Sequence, residues 1–84
     1  MRDPARIPII LELLKQAWSI NEDMRFMQLI FNIQSAYSHK NNNVGLIEEV
    51  EKDGFSKRGF DLYNIEDREI EFFLKRYIEE RSKR

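Results

Sequence analysis

The chain contains no cysteine, one histidine, two prolines and three glycines among its 84 residues. Without cysteine, neither a disulfide nor a thiolate zinc site can stabilise it, so apolar packing must hold the fold together. A chain of this size buries only about two-thirds of the surface that its unfolded form exposes, which leaves a narrow margin of stability. We therefore expect a single domain over residues 1–84.

Long apolar runs are also missing. No stretch approaches the roughly 18 consecutive apolar residues of a membrane-spanning helix, and the N-terminal segment Met1–Pro4 lacks the pattern of a signal peptide. Fourteen basic and fifteen acidic residues give a net charge of −1, which provides no global attraction to nucleic acid or to anionic lipid. We expect a cytoplasmic protein without a membrane partner.

Groups that carry chemistry are sparse. His39 lies in a polar stretch, and no serine or cysteine nucleophile is arranged around it. A lone histidine without cysteine does not form a zinc site unless several carboxylates converge. The acids between Asp61 and Glu71 lack the spacing of a calcium loop, and the glycines are too far apart for a phosphate-binding loop. The sequence therefore predicts no enzymatic activity, no cofactor and no metal.

Apolar residues recur with the period of an α-helix in three segments, which predict helices over 4–18, 22–38 and 65–80. Asp3 and Pro4 suit the start of the first helix, and Asn64 with Asp67 suits a capping box at the last. The apolar stripes consist of Ile7, Ile10, Leu11, Leu14, Ala17 and Trp18; Phe26, Leu29, Ile30, Ile33 and Tyr37; and Ile70, Phe73, Leu74, Tyr77 and Ile78.

The segment between Val44 and Gly59 allows two interpretations. Apolar residues three positions apart and the i, i+4 pair Glu48 and Lys52 favour a short helix over 44–52. The alternative is a hairpin that turns at Asp53-Gly54, a common two-residue turn. The flanks lack clear alternation, so we favour the helix. The predicted fold is all-α: a compact bundle of three main helices with a fourth, short helix.

Several large apolar residues lie outside these stripes: Ile9, Leu13, Met24, Met27, Phe31 and Phe72. Three helices cannot bury all of them, and apolar surface that contains methionine suits an adaptable protein contact. Coverage by residues 44–60 explains them equally well. If these residues form a protein contact, the chain is a non-enzymatic protein-interaction or regulatory module, which binds a protein partner or self-associates.

The C-terminal segment holds a basic cluster: Lys75, Arg76, Arg81, Lys83 and Arg84, with two glutamates between them. A solvated helix end that complements the helix dipole accounts for it in most proteins. An alternative function is weak nucleic-acid binding through this cluster. A helix-turn-helix is disfavoured, because the second predicted helix begins with Glu22 and Asp23.

If the chain has a partner-binding face, the sequence places it at the start and along one side of the last helix. Tyr63 precedes that helix, and Phe72 lies off its apolar stripe. Arg68, Lys75 and Arg76 surround Phe72 at helical spacing. Packing of both aromatic rings beneath the preceding segment is the alternative.

Two stretches resemble small YihD-like bacterial proteins of unknown function. They are the opening segment from Met1 through Trp18 and the acidic, aromatic segment from Asp61 to Asp67, supported by the run from Arg25 to Ile30. Together they cover about half of the chain, and most of the matching residues belong to the predicted core or helix caps. The resemblance implies a small helical domain of bacterial or mobile-element origin, and it transfers no functional residue.

Overall fold

The computed structural model describes residues 2–82 and contains five elements. They are α1 (Arg6–Ser19), α2 (Phe26–Lys40), β1 (Leu46–Val50), β2 (Ser56–Phe60) and α3 (Asp67–Ser82). The described chain divides into two units. The first comprises the residues up to Leu29 and from Ile65 onward, and the second comprises Ile30–Asn64.

The all-α prediction is wrong, because residues 44–52 do not form a helix. β1 pairs with β2 in an antiparallel two-stranded sheet, in the register Leu46↔Phe60 to Val50↔Ser56. The hairpin follows the alternative interpretation, but its loop comprises residues 52–54 and is not the predicted two-residue turn at Asp53-Gly54. Glu51 N–H donates to the Phe55 carbonyl oxygen at 2.8 Å, and Gly54, with a φ of +88°, donates its N–H to the Glu51 carbonyl oxygen at 2.9 Å. A mixed fold of three helices and one hairpin replaces the predicted bundle.

Charge pairs across the hairpin replace the i, i+4 pair that favoured a helix. Glu48 lies directly opposite Arg58, with 3.3 Å between its Oε1 and the arginine Nε. Lys57 Nζ lies 2.6 Å from Glu51 Oε1. Opposite charges across strands stabilise a sheet about as much as an i, i+4 pair stabilises a helix. The cross-strand pairs therefore compensate for the helical pair of Glu48 and Lys52 that the hairpin gives up.

Three asparagines, at positions 41–43, follow the end of α2 at Lys40. Asn42 and Asn43 take φ values of +60° and +63°, a left-handed conformation that asparagine tolerates. Ser38 anchors this loop: its carbonyl accepts from Asn43 N–H at 2.7 Å, and its hydroxyl donates to the Val44 carbonyl oxygen at 2.6 Å. Because Ser38 is almost fully buried, this short network positions the start of β1.

Replacing Ser38 with alanine is expected to lower the free energy of unfolding by about 1–2 kcal/mol, since the buried hydroxyl bond to Val44 is lost. Urea denaturation followed by circular dichroism measures the change. Ser35→Ala removes a hydroxyl from the same helix without reaching the loop, and it should have a smaller effect. Equal shifts for the two variants would contradict the anchoring role.

The first unit is centred on contacts between α1 and α3. Its buried apolar residues are Leu13, Ala17, Leu29, Phe73, Leu74 and Tyr77. Two ion pairs join the N-terminal ends of α1 and α3. Arg2 donates to both carboxylate oxygens of Glu66 at 2.9 and 3.0 Å, and the Arg6 guanidinium contacts the Asp67 carboxylate. Such exposed pairs contribute little energy individually.

The helices begin two to four residues later than predicted. Asp3 does not cap α1 directly; its carboxylate accepts from Ala5 N–H at 2.9 Å, and the helix starts at Arg6. Before α2, the Gln28 side chain accepts from Arg25 N–H at 2.9 Å, which sets its start at Phe26. Each local hydrogen bond satisfies a backbone donor that the helix itself cannot.

Candidate protein-binding surface

Four of the five predicted site residues share one face of α3. Arg68, Phe72, Lys75 and Arg76 stand at positions i, i+4, i+7 and i+8, and all four are exposed. The Phe72 side chain is 64% exposed. The alternative, in which this ring packs beneath the preceding segment, is therefore wrong, and Phe72 lies off the apolar stripe as the amphipathic pattern of the helix predicted.

Contacts within α3 already occupy most of this face. The Arg76 guanidinium lies 5.4 Å from the centre of the Phe72 ring, and Lys75 Nζ lies 3.0 Å from Glu71 Oε2. Arg68 forms no ion pair with any residue between 2 and 82. The face thus offers one aromatic ring, partly covered by a cation, and one unpaired guanidinium.

Tyr63, the fifth predicted residue, belongs to the second unit. It is 90% exposed, and its backbone N–H donates to the Asp61 carboxylate at 3.3 Å. The alternative, in which this ring packs beneath the preceding segment, is therefore wrong for Tyr63 as well. It follows a tight turn made by Asp61 and is held there by its backbone alone.

The basic cluster is only partly within the described chain, because Lys83 and Arg84 lie outside it. Arg81 stacks on Tyr77, with its guanidinium carbon 3.6 Å from the ring centre. Together with the contacts of Lys75 and Arg76, this stacking engages each described cation of the cluster within α3. Arg76 and Arg81 keep their charge and stay exposed while their guanidinium groups lie against aromatic rings of the same helix.

The main apolar surface of the first unit lies elsewhere, along α1. Ile7, Leu11, Leu14 and Trp18 follow one another at intervals of four, three and four residues, and we call this row the α1 seam. The sequence predicted that the seam is part of the core. That prediction is wrong for Ile7 and Leu11, which are more than half exposed. Ala17 is buried as the stripe predicted, and Leu13, which was predicted outside the stripe, is buried beside it.

The composition of α1 explains why Leu13, and not Ile7 or Leu11, is part of the core. The helix is apolar over more than half of its circumference, so either of two adjacent faces is able to enter a core. The α1–α3 contacts bury the face of Leu13 and Ala17. Leu13 was expected among the surplus apolar residues, and it is in fact part of the core. The seam next to it remains accessible.

A groove of about 510 Å³ runs along the seam from Leu11 to Trp18. We call it the α1 groove; it is lined by Leu11, Leu14, Lys15, Trp18, Ser19, Glu22 and Phe26. The Trp18 and Phe26 rings form one wall, with 5.3 Å between their centres. Trp18 Nε1 donates to the Met24 carbonyl oxygen at 2.7 Å, which fixes the indole and satisfies its only polar group.

The rim of the groove carries one charge of each sign. The Lys15 ammonium is largely exposed and lies 3.9 Å from Glu12 Oε2, a long contact. Glu22 forms no ion pair with the rest of the described chain. The groove therefore combines an apolar floor, a fixed aromatic wall and two charged groups able to pair with a partner.

The described part of the chain shows neither a metal-binding cluster nor a membrane-spanning helix. No group of three or more histidine, cysteine, aspartate or glutamate side chains among residues 2–82 is placed to hold a metal ion. No helix there is both long and apolar enough to cross a membrane. His39 is exposed at the end of α2.

Comparison with family models, with curated proteins and with solved structures gives no match for this chain. The resemblance to YihD-like proteins therefore stays a prediction. Any functional conclusion must come from the residues and their geometry.

Proposed function

We propose that this protein is a non-enzymatic protein-binding module and that the α1 groove is its contact surface. The observation that carries the proposal is the apolar row of the α1 seam, which has the spacing used for helix–helix packing. Ile7 and Leu11 of this row are more than half exposed, and Leu14 and Trp18 are half-buried. Exposed apolar surface that is contiguous and rimmed by charge is typical of protein contacts.

The groove is better suited to binding than the predicted face of α3. An apolar floor gains free energy when a partner excludes water from it, and the anchored Trp18 loses little conformational freedom on binding. On α3, Phe72 is the only large exposed apolar residue, and Arg76 already lies over its ring. We therefore assign the α3 residues at most a peripheral contact.

Photo-crosslinking in cells that produce the chain tests this assignment. A benzoylphenylalanine introduced in place of Leu11 is expected to form covalent adducts with protein, which mass spectrometry then identifies. Ile9 is the matched control, since it is 45% exposed on the opposite face of the same helix. Phe72 serves as the comparison position on α3.

The three positions give distinct results. Adducts that form at Leu11 and not at Ile9 support the α1 groove as the contact surface. Adducts that form only at Phe72 would transfer the function to α3. Equal labelling at Leu11 and Ile9, or none at either position, would overturn the proposal, because a specific surface must distinguish the two faces of one helix.

A further inference from the structure

We propose that the outer edge of β1 binds an extended segment of another protein, in which basic and apolar residues alternate, and that this segment adds to the hairpin as a third strand. The edge belongs to the second unit, and its binding does not depend on the function proposed for the α1 groove. Three features of the hairpin suit such a partner: its exposure, the free backbone groups of its edge and a surplus of carboxylates.

The hairpin is one strand short of an independently stable sheet. At its base, the Phe60 ring packs against Phe31, with 5.4 Å between the ring centres. Beyond the base, every residue from Ile47 to Arg58 is exposed. A two-stranded ribbon is only marginally stable in water, whereas three strands with an apolar face form a stable sheet. A third strand would therefore stabilise the hairpin that it joins.

The ladder of the hairpin has a bonded pair at each end. Near the turn, Glu51 N–H donates to the Phe55 carbonyl oxygen at 2.8 Å, and at the base Asp61 N–H donates to the Gly45 carbonyl oxygen at 2.8 Å. Bonded and non-bonded pairs alternate along an antiparallel ladder. Every second residue of β1 therefore bonds to β2, and the residues between them direct their N–H and C=O groups away from it.

On β1, these outward groups belong to Glu48 and Val50. Both residues are exposed, and no backbone group of another segment between residues 2 and 82 bonds to them. On β2, the outward groups belong to Ser56 and Arg58. An added strand gains affinity from such main-chain groups and specificity from the side chains beside them. Both edges offer main-chain bonds, so the side chains must distinguish them.

Charge distinguishes the two edges. Glu48, Glu49 and Glu51 lie on the β1 side, and β2 carries two cations. Arg58 Nε lies 3.3 Å from Glu48 Oε1, and Lys57 Nζ lies 2.6 Å from Glu51 Oε1. Glu49 forms no ion pair with the rest of the described chain. The β1 edge therefore has a carboxylate to offer to a basic segment, whereas both cations of β2 are already paired.

The alternation of side chains defines the partner further. Glu49 and Glu51 share one face of β1, and Val50, which is 76% exposed, lies on the other. The side chains of an added strand alternate in the same way, so its basic residues meet the carboxylates while its apolar residues cover Val50. A second copy of this chain fits less well, because pairing β1 with β1 would place carboxylates beside carboxylates.

Titration with two blocked hexapeptides tests the edge and its charge preference. One peptide alternates lysine and valine, and the other alternates glutamate and valine. We expect the basic peptide to bind with a Kd on the order of 100 µM and the acidic peptide to bind about tenfold more weakly or worse. Amide exchange followed by nuclear magnetic resonance locates the contact. With free basic peptide at about ten times its Kd, exchange should slow about tenfold at Glu48 and Val50 and stay unchanged at Ser56 and Arg58.

Val50→Pro and Ser56→Pro are matched variants, because these residues lie directly opposite each other and both N–H groups point outward. Proline at either position removes a donor from one edge without removing a bond of the ladder. Val50→Pro should bind the basic peptide about tenfold more weakly, since one main-chain hydrogen bond is lost. Ser56→Pro should bind it like the wild type.

Glu49→Lys tests the charge without changing the backbone. Because Glu49 has no cationic partner in the described chain, this variant breaks no ion pair there. It is expected to reverse the preference, so that the acidic peptide binds more tightly than the basic one. Slow exchange of the Asp61 N–H, which closes the base of the hairpin, confirms in each variant that the hairpin is formed.

Each outcome decides one part of the proposal. Slowed exchange at Ser56 and Arg58 instead of Glu48 and Val50 overturns the choice of edge. Equal affinity for the two peptides, or a Glu49→Lys variant that still prefers the basic peptide, overturns the charge preference. A wild-type chain that binds neither peptide overturns the third strand. Exchange at Glu48 and Val50 that slows with protein concentration alone would identify a second copy as the occupant and overturn the basic partner.

Discussion

Replacing Leu74 with alanine is expected to lower the free energy of unfolding by about 3–5 kcal/mol and to leave much of the protein unfolded at 25 °C. Leu74 is only 2% exposed and is among the largest fully buried side chains of the described chain. Truncation removes the transfer free energy of the side chain and leaves a cavity that α1 and α3 fill only in part. Small domains have only a few kcal/mol in reserve.

Phe72→Ala provides the control for this substitution. Phe72 lies two residues earlier on the same helix and loses a larger side chain, but that side chain is mostly exposed. Its removal should cost less than about 1 kcal/mol. Urea denaturation followed by far-ultraviolet circular dichroism compares the two. If both variants shift the midpoint equally, or if Leu74→Ala leaves it unchanged, the core described for α3 is wrong.

The core face of α3 could be predicted from sequence because this helix has a single apolar stripe. Ile70, Phe73, Leu74, Tyr77 and Ile78 alternate with charged residues, so only one face is able to be buried. The same pattern placed Phe72 in solvent. For α3, the period alone therefore determines both the core and the exposed face that carries four of the predicted site residues.

For α1, the period does not determine the core. Its apolar residues cover two adjacent faces, and the choice between them depends on the surface that α3 presents. Leu13 and Ala17 are buried, and Leu11 is exposed. Sequence reasoning missed the α1 groove for this reason, since it assigned the seam to the core. The intervals between Ile7 and Trp18, which are those of a coiled coil, were the available indication of an exposed helix-packing row.

The hairpin depends on contacts that no local pattern contains. Glu48 has a favourable helical partner four residues later and a favourable cross-strand partner in Arg58, ten residues later. The two options have similar energies, so backbone conformation decides between them. Positive φ angles at Gly45 and Gly54 are compatible with the hairpin and end any helix. Only the three-dimensional approach of neighbouring chain segments distinguishes the roles of these two glycines.

Gly45→Ala is expected to lower the free energy of unfolding by about 2–5 kcal/mol and to open the base of the hairpin. Gly45 has a φ of +71°, where an L-residue costs about 1–2 kcal/mol. A Cβ at this position would also overlap the Asp61 carbonyl oxygen and lie 2.8 Å from Leu62 Cδ2. The overlap forces the backbone apart where Asp61 N–H donates to the Gly45 carbonyl oxygen at 2.8 Å.

Substitutions at the other two glycines distinguish the cost of backbone strain from the cost of steric overlap. Gly54→Ala introduces the same kind of strain, at a φ of +88°, but its Cβ would meet nothing within 4 Å. We expect it to cost about 1 kcal/mol, because a less flexible unfolded chain offsets part of the strain. The alanine Cβ of Gly59→Ala meets open space at an ordinary φ, so this variant should be neutral.

The urea midpoint and the hydrogen exchange of the hairpin amides measure these effects. The loss of stability should decrease in the order Gly45, Gly54, Gly59. A cost for Gly45→Ala no larger than that for Gly54→Ala would show that Asp61 does not approach the chain at Gly45, and the closed base of the hairpin would have to be abandoned.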